Sequence, residues 1–348
     1  TPHEAAGEAL ALEERGFKRA LLVLGEDPER GVDYIIDVVN AIYKESKMRI
    51  LHVNAPPMSV EEFKKLKSSG VGLYQSFQET YHKETYERVH PTGAKKDYLN
   101  RINVMDRALE AGFNDVGIGA LLGLYDFRFE VLSTIAHSTH LFEKFKAHAH
   151  TISIPRLRPA EGSTVDPDAW PVSDEDMERV VSVYRLAVPT AGIVVTTRES
   201  EELRARLIDA GASQLSASSS TAPGGYGDGD KETLEQFSTN DQRTLEEVMA
   251  SIAKSGGMPS LCTTCYRVGR VGESFTRTTT SGEMEKFCEA NAILTLKEFL
   301  LDNRANGNEA LFESSIKDAL ARVEDSTLKD ELFKKLKELE EGKRDRFF

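Results

Sequence analysis

Three cysteines are the residues whose type and spacing point most directly to chemistry. Cys262 and Cys265 form a CxxC pair and Cys288 follows after 22 further residues, so one short region holds every cysteine of the 348-residue sequence. Three thiolates can hold three irons of a cubane iron–sulfur cluster and leave the fourth iron open to an outside ligand. A structural zinc site usually has four protein ligands. The spacing therefore favours an iron–sulfur site over a zinc site or three unrelated buried cysteines.

Polar side chains also gather where apolar runs of the sequence end. Arg156 and Arg158 stand two residues apart after one such run, so both side chains point to the same face of an extended strand. Guanidinium groups there can clamp a carboxylate, although a salt bridge between loops explains them equally well. Glu26, which follows Gly25 at the end of another run, can accept hydrogen bonds from an ammonium group. The hydroxyl-rich loop 216–226, SASSSTAPGGY, is either a contact for a small substrate or a plain turn.

His150 stands directly before the same apolar run, at its opposite end from Arg156. A lone histidine at such a place is more often structural than a ligand. It gains a metal-binding interpretation only if an iron site covers the same end of the fold.

Seven short apolar runs rich in β-branched residues are the elements that must position these side chains. The runs are 20–24, 49–53, 72–77, 115–122, 151–157, 192–196 and 214–218. Helical patterns separate them, and the pairs Ser59–Glu62 and Ser173–Asp176 have the spacing of capping boxes. Apolar strands that alternate with helices predict a parallel sheet covered by helices. We therefore expect an α/β fold, a (βα)8 TIM-type barrel without its first strand, because the sequence opens on a helix; an open doubly wound sheet is the alternative.

The character of the sequence changes near residue 239. We expect a partial barrel over residues 1–238 and a mostly helical extension over residues 239–348 that carries the cysteines. The last residues, 341–348, are expected to fray.

Composition limits the classes of function. The net charge is −13 without a long basic stretch, which argues against a nucleic-acid partner. No run approaches the roughly 18 apolar residues of a membrane-spanning helix. An odd, sparse set of cysteines does not form a disulfide framework and indicates a reducing compartment. We expect a cytoplasmic protein that handles a small molecule, with no nucleic-acid or membrane partner.

Several stretches match one known family in order along the chain. They are LLVLGE at 21–26, QETYH at 78–82, HPTGAKKDY at 90–98, GIGALLGLYDFRFE at 117–130, HTISIPRLRP at 150–159 and LCTTCYRVGR at 261–270. Together they resemble the radical-SAM tyrosine lyases of [FeFe]-hydrogenase maturation. The tyrosine lyases of thiazole biosynthesis share the barrel motifs but are not expected to carry the cysteine triad. The triad therefore favours the hydrogenase-maturation type.

The resemblance implies an activity and its cofactors. A [4Fe–4S] cluster on a CxxxCxxC loop and S-adenosylmethionine (SAM) cleave L-tyrosine to p-cresol and dehydroglycine. The dehydroglycine gives carbon monoxide and cyanide, which are delivered to iron at an accessory [4Fe–4S] cluster with an additional labile iron. The product serves assembly of the hydrogenase H-cluster. The implied partners are hydrogenase maturation proteins and an electron donor such as ferredoxin or flavodoxin, in an anaerobic organism.

The resemblance also assigns roles to residues by their position. The SAM contacts are Gly25, Glu26, Gln78, Glu79, Arg101 and Arg158. The tyrosine contacts are Arg156 and Ser218. The accessory cluster has Cys262, Cys265 and Cys288 as ligands, and the labile iron has His150.

The sequence departs from the family in one respect. It holds no CxxxCxxC motif, which we expect on a segment upstream of the first predicted strand. The chain as given is therefore expected to be an active lyase only in a full-length form. Two alternatives stay open: a tyrosine lyase of the thiazole-biosynthesis type (2-iminoacetate synthase), and a non-catalytic scaffold in which the cysteine triad is a structural metal clip.

Overall fold

The secondary structure alternates helices and strands up to residue 215 and is helical beyond it. The computed structural model describes residues 1–27, 29–159, 165–222, 224–227, 238–303 and 307–348. The strands are β1 (Arg19–Val23), β2 (Ile50–Asn54), β3 (Leu73–Gln75), β4 (Val116–Gly119), β5 (Thr151–Ser153), β6 (Gly192–Val195) and β7 (Gln214–Leu215). The helices up to β7 are α1 (Pro2–Glu14), α2 (Val32–Glu45), α3 (Val60–Ser68), α4 (Lys83–Val89), α5 (Tyr98–Ile102), α6 (Val104–Glu110), α7 (Phe127–Phe145), α8 (Asp174–Ala187) and α9 (Glu201–Asp209). The later helices are α10 (Leu245–Lys254), α11 (Thr264–Arg267), α12 (Gly272–Thr280), α13 (Glu283–Asp302), α14 (Glu309–Arg322) and α15 (Ser326–Glu340).

The seven strands form one parallel sheet in which each strand pairs with the next along the chain. Each lies within or overlaps one of the seven predicted apolar runs, so the strand predictions are confirmed. A doubly wound sheet would reverse its strand order at a switch point, and this sheet does not. The doubly wound alternative is therefore wrong, and the α/β barrel class is confirmed.

The sheet curls, as contacts between its two ends show. Arg15, just after α1, donates from Nη2 to the carbonyl oxygen of Tyr226 at 2.8 Å. Glu8 on α1 accepts a hydrogen bond from the backbone N–H of Gly227 at 3.1 Å. Because α1 leads into β1 and residues 226–227 follow β7, these contacts bring the two edge strands of the sheet towards each other.

Local sequence signals fix where several helices begin. Ser59 accepts from the backbone N–H of Glu62, whose side chain accepts in return from Ser59, and Ser173 and Asp176 do the same. Both predicted capping boxes are confirmed. Each satisfies two backbone N–H groups that a helix start would otherwise leave unpaired.

The strands alternate between an apolar outer face and a polar inner face. Residues such as Leu51, Tyr74 and Ile152 are fully buried or nearly so and belong to the core between the sheet and its helices. Their neighbours point the other way because side chains alternate along a strand. This inner face carries His52, Gln75, Thr151 and Ser153 together with the glycines of β4. The barrel wall thus surrounds a polar lumen.

A second apolar core joins α10, α13, α14 and α15. Its members include Met249, Leu294, Phe312 and Leu332. The predicted boundary between residues 238 and 239 follows residues 228–237, which lie outside the described residues, and it stays a prediction. Among the helices that the structure describes, none combines the length and apolar character of a membrane span.

The segment 341–348 is not frayed, contrary to the expectation from its position. Asp345 pairs with Arg267 through both carboxylate oxygens and with Arg49 at 3.0 Å. Its backbone N–H donates to Glu298 at 2.8 Å, and that of Phe348 donates to Asn291 at 2.9 Å. The hydrogen-bonding groups of residues 341–348 pair with residues far away in sequence. The sequence of this segment alone therefore did not indicate that it is ordered.

Candidate active site and cysteine cluster

Most of the predicted site residues lie at the carboxyl ends of the strands, which is where barrels of this class hold their active sites. This end of the wall is called the upper mouth below. The predicted residues that lie within five positions after a strand are Gly25, Glu26, Gln78, Glu79, Arg156, Arg158 and Ser218.

Arg101 on α5 reaches into the upper mouth and connects two of its carboxylates. Its Nη1 lies 3.8 Å from Glu26, and its Nη2 lies 3.8 Å from Glu79. Its Nε donates to the carbonyl oxygen of Phe77 at 2.9 Å, which fixes the guanidinium plane. The structure therefore brings together three of the predicted SAM residues.

Glu79 has a backbone conformation that few side chains adopt. Its φ is 66°, in the left-handed region, and its carbonyl oxygen accepts from Leu121 at 2.7 Å. The Lys95 ammonium lies 2.7 Å from its carboxylate. Burial raises the pKa of Glu79, but Lys95 and Arg101 outweigh burial, and the pKa lies below its ordinary value. Glu79 is therefore a fixed negative charge at the mouth.

Some buried donors at the upper mouth have no hydrogen-bond partner among the described residues. They include Nε2 of Gln78, whose side chain is almost fully buried, and Nε of Arg158. Buried donors are normally paired, so unpaired ones indicate that a polar group from outside the chain binds here. Beside the carboxylates of Glu26 and Glu79, the set fits the zwitterionic end of an amino acid or of SAM.

Arg156 and Arg158 share one buried carboxylate. Glu199 is 1% exposed and pairs with Arg156 and, at 3.0 Å, with Nη2 of Arg158. Arg156 also donates from Nη1 to Asp174 and to the carbonyl oxygen of Val172, both at 2.9 Å. Burial lowers the pKa of Arg156, but hydrogen bonds and charge from Glu199 and Asp174 outweigh burial, so the pKa lies above its ordinary value. Arg156 is thus engaged with the chain itself, whereas Arg158 keeps an unpaired Nε.

Glu199 and Arg198 were not predicted as site residues. Arg198 donates to the carbonyl oxygen of Arg156 at 3.3 Å, and burial lowers its pKa to about 10. Both residues directly follow β6, within the sequence TTRES at 196–200. Their position after an apolar strand is the signal that would have found them.

Ser218 lies three positions beyond β7, also in the left-handed region with φ 49°. Its backbone N–H donates to the carbonyl oxygen of Arg243 at 3.3 Å. Ser220 donates its N–H to the hydroxyl of Tyr226 at 2.9 Å, so the loop folds back on itself. Pro223 of this loop lies outside the described residues.

The three cysteines lie at the other end of the barrel. Cys262 and Cys265 flank the start of α11, and Cys288 is on α13. Burial raises the pKa of Cys265 to about 12, and the negative charges that Cys262 and Cys288 can carry add to this effect. Desolvation and Cys262 likewise raise the pKa of Cys288, although its side chain reaches solvent. The thiols therefore lie close enough to influence each other's charge.

Three thiols are the number of ligands that a cubane cluster with one open iron takes from a protein. Across the described residues, no three His, Cys, Asp or Glu side chains converge on one metal-ion position. The thiol of Cys262 is supported by the Thr264 backbone N–H at 3.4 Å, which is how the local chain would stabilise a thiolate.

His150 lies at the amino end of β5, as the sequence indicated, and faces Asp115. Its Nδ1 is 3.2 Å from Oδ1 of Asp115, and both residues are buried. Asp115 also accepts from the backbone N–H of Gly272 at 3.0 Å, so the carboxylate ties α12 to the barrel. A carboxylate beside one ring nitrogen orients the other towards a ligand. Asp115 was not predicted and follows no motif.

Tyr266 links the cysteine loop to the floor of the lumen. Its ring centroid lies 4.6 Å from that of His52 on β2 and 5.2 Å from that of His150. Neither ring nitrogen of His52 has a hydrogen-bond partner among the described residues, and burial holds the pKa of His52 well below its ordinary value. A neutral imidazole thus faces the lumen directly above the residue that follows Cys265.

An open cleft leads from solvent to this lower site. It has a volume of about 700 Å³ and runs between the amino ends of β5–β7 and the helices α12 and α13. His150, Gln214, Phe275 and Glu285 are among its lining residues. One barrel therefore has polar groups at its upper mouth, a polar lumen, and thiols beside a histidine at its lower end.

Comparisons with known proteins match this arrangement. The family described as the Biotin and Thiamin Synthesis associated domain matches residues 153–257. The 2-iminoacetate synthase of Escherichia coli (strain K12) is 34% identical over 258 residues, which cover 74% of this chain and 67% of that protein. The crystal structure of HydG, a maturase of the [FeFe]-hydrogenase, is 42% identical with a TM-score of 0.95 and covers 100% of this chain and 77% of that one. HydG from Carboxydothermus hydrogenoformans is 35% identical with a TM-score of 0.82 over 97% of this chain and 74% of that one.

The fold and the relatives define a barrel of the radical-SAM class. The match to HydG extends over the whole chain, including the cysteine-bearing helices. The chain belongs to the family that comprises HydG and 2-iminoacetate synthase. It spans about two-thirds of the length of the curated relatives, so the activity of the whole protein is a matter for proposal.

Proposed function

We propose that this chain forms the greater part of a radical-SAM lyase that cleaves L-tyrosine and serves [FeFe]-hydrogenase maturation. The observation that carries the proposal is the presence of two different sites on one barrel, an amino-acid-like site at the upper mouth and a thiol site at the lower end. The full-length match to HydG supports the maturation role.

The upper mouth would hold SAM and tyrosine. Glu26 and Glu79 would accept hydrogen bonds from the ammonium group of SAM, and Arg101 and Gln78 would bind its carboxylate, with Gly25 allowing close approach of the backbone. SAM supplies, with an iron–sulfur cluster, the radical that starts carbon–carbon cleavage. The work of this chain is to hold both substrates and to keep water out.

The two arginines would divide their roles according to their present partners. Arg158, a predicted SAM contact, has an unpaired Nε that would bind the carboxylate of SAM. Arg156 is fully engaged with Glu199, Asp174 and Val172, so it supports Arg158 through Glu199 and reaches the tyrosine carboxylate only by giving up a partner. Ser218, which lies beyond the end of β7, would contribute its hydroxyl to the tyrosine.

The lower end would hold an accessory [4Fe–4S] cluster through Cys262, Cys265 and Cys288, with His150 binding an additional labile iron. The raised pKa of Cys265 means that its thiol is protonated at neutral pH before metal binds, so assembly releases protons. Dehydroglycine, the two-carbon product of tyrosine cleavage, would pass down the lumen and break down to carbon monoxide, cyanide and one molecule of water, and the carbon monoxide and cyanide would be delivered to iron.

The partners follow from this chemistry. A one-electron donor of the ferredoxin or flavodoxin kind would deliver reducing equivalents, and other hydrogenase maturation proteins would receive the iron product. The second [4Fe–4S] cluster, which works with SAM, would need cysteine ligands that are not in this sequence, because all three of its cysteines are used at the lower end.

The test is product analysis with the complete enzyme under anaerobic conditions. L-Tyrosine and SAM should give p-cresol, carbon monoxide and cyanide, detected by chromatography and by trapping on haemoglobin. The Cys262→Ser variant should keep p-cresol formation and lose carbon monoxide. Formation of p-cresol with no carbon monoxide by the unaltered enzyme would favour the 2-iminoacetate synthase activity, for which 34% identity to the E. coli protein is the supporting observation.

A metal analysis separates the lyase from an inert scaffold. After anaerobic reconstitution, this chain should bind about four irons with equal sulfide, because three thiolates complete a cubane with one open iron. Bound zinc without iron, together with unfolding of the helical part in the Cys262→Ser variant, would support the scaffold instead.

A further inference from the structure

The backbone around Ser218 is held at both ends. Nη2 of Arg204 donates to the carbonyl oxygen of Ser216, and the N–H of Ser218 donates to the carbonyl oxygen of Arg243 at 3.3 Å. Between these two anchors, Ser218 adopts a φ of 49°. A non-glycine residue stays in the left-handed region only where its surroundings over-determine the conformation.

The two anchors are joined through one buried carboxylate. Asp241 pairs with Nη1 of Arg204 and accepts from Nε of Arg243 at 2.9 Å and from its Nη2 at 2.6 Å. The contacts form a closed ring from Ser216 through Arg204, Asp241 and Arg243 to Ser218. The backbone N–H of Asp241 also donates to the carbonyl oxygen of Thr197 at 3.0 Å, which fastens the ring to the end of β6.

Two members of the ring are almost completely buried. Arg204 is 1% exposed and Asp241 is 4% exposed. Desolvation makes a buried ion pair a poor source of stability, and apolar residues of similar volume would often pack as well. What the pair adds is a fixed direction for each hydrogen bond, and here those bonds end on the Ser218 segment.

We propose that Arg204 and Asp241 are positioning residues that hold Ser218 and the 216–222 segment in the conformation that binds tyrosine. This inference rests on the proposed function, which places Ser218 beside that substrate. Without the ring, Ser218 leaves the left-handed region and the segment samples several conformations. Only a fraction of molecules is then competent to bind, and the apparent affinity falls by that fraction.

The experiment measures L-tyrosine binding by calorimetry and the kinetics of p-cresol formation in the complete anaerobic enzyme. The paired replacement Arg204→Met with Asp241→Asn removes both charges and leaves side chains of similar size. It should weaken tyrosine binding by about ten-fold and raise KM by a similar factor, while kcat per bound substrate changes little. Gln242→Ala, at an exposed position between the two ring members, should bind like the unaltered enzyme.

A second variant covers the case in which the paired replacement fails to fold. Arg243→Gln opens the ring at a residue that is 17% exposed and leaves the Arg204–Asp241 pair intact. It should raise the KM for tyrosine by about three-fold in protein that circular dichroism shows to be folded. Unchanged KM and affinity in the folded variants would overturn the positioning role. If the unaltered enzyme does not bind tyrosine, the proposed function itself fails instead.

Discussion

Replacing Glu199 by Gln is expected to destabilise the barrel at its upper mouth. The Glu199 carboxylate is buried and serves as the shared counter-charge of Arg156 and Arg158. Gln has nearly the same shape and no charge, so the change tests electrostatics without creating a cavity. Arg156 keeps Asp174 at 2.9 Å, whereas Arg158 loses the one carboxylate it contacts among the described residues.

The magnitude follows from the geometry. A separation of 3.0 Å between Arg158 and Glu199 corresponds to roughly 5 kcal/mol of Coulomb attraction at an effective dielectric constant of about 20. Desolvation offsets part of this, and breaking a buried pair costs about 3–5 kcal/mol. Because the Arg158 side chain is 24% exposed and Arg156 retains a partner, water and Asp174 compensate in part. We expect a loss of about 2–3 kcal/mol in the free energy of unfolding.

Urea unfolding followed by circular dichroism and by the fluorescence of Trp170, the one tryptophan of the sequence, measures the loss. The matched control is Glu178→Gln, whose partner Arg206 lies at 2.9 Å with both side chains more than a third exposed. It should cost less than about 1 kcal/mol because solvent screens an exposed pair. Equal losses for the two variants would refute the reasoning, since burial would then have no bearing on the cost.

Three further predictions concern the mouth, the lumen and the thiols. Lys95→Met should weaken the pH dependence of stability that Glu79 contributes. Because the pKa of Glu79 is lowered in the folded chain, Glu79 adds stability at neutral pH, and this stability is lost as the pH falls below the ordinary value of 4.5. Urea unfolding between neutral and acidic pH measures the difference between the variant and the unaltered chain. Gly119→Ala places a Cβ 2.6 Å from a β5 carbonyl oxygen and should lower the free energy of unfolding by about 1–3 kcal/mol. Gly7→Ala in α1 meets no atom within 4 Å and should raise it by about 0.5–1 kcal/mol. The midpoints of urea unfolding measure both changes. Burial raises the pKa of Cys265 to about 12, so near pH 8 its thiol should react with iodoacetamide about fifty-fold more slowly than free cysteine, because a smaller thiolate fraction outweighs a more nucleophilic thiolate. Mass spectrometry of the metal-free chain measures the rate, and a rate equal to that of free cysteine would contradict the burial of Cys265.

The fold was largely predictable because its signals are local. Period, β-branching and capping pairs act within a few residues, and they identified all seven strands and the helix starts at Ser59 and Ser173. Helical connections between apolar strands then restrict the topology to a few choices, of which the sequential strand order is one. The fraying predicted for 341–348 was wrong because its anchors, such as Glu298 and Arg267, lie far away in sequence.

The candidate site divides in the same way. The sequence by itself determined which residues stand at strand ends, such as Glu26 and Arg158, and the thiol spacing of Cys262, Cys265 and Cys288, because position along a strand and spacing along the chain are one-dimensional properties. Only the tertiary structure decided that Asp115 faces His150, that Glu199 neutralises two arginines and that a buried ring holds Ser218. The ion pairs Asp115–His150, Arg156–Glu199 and Arg204–Asp241 each join residues that are 35 or more positions apart. The folded chain brings them together by burying apolar surface, and that burial leaves no pattern in the sequence around the charges themselves.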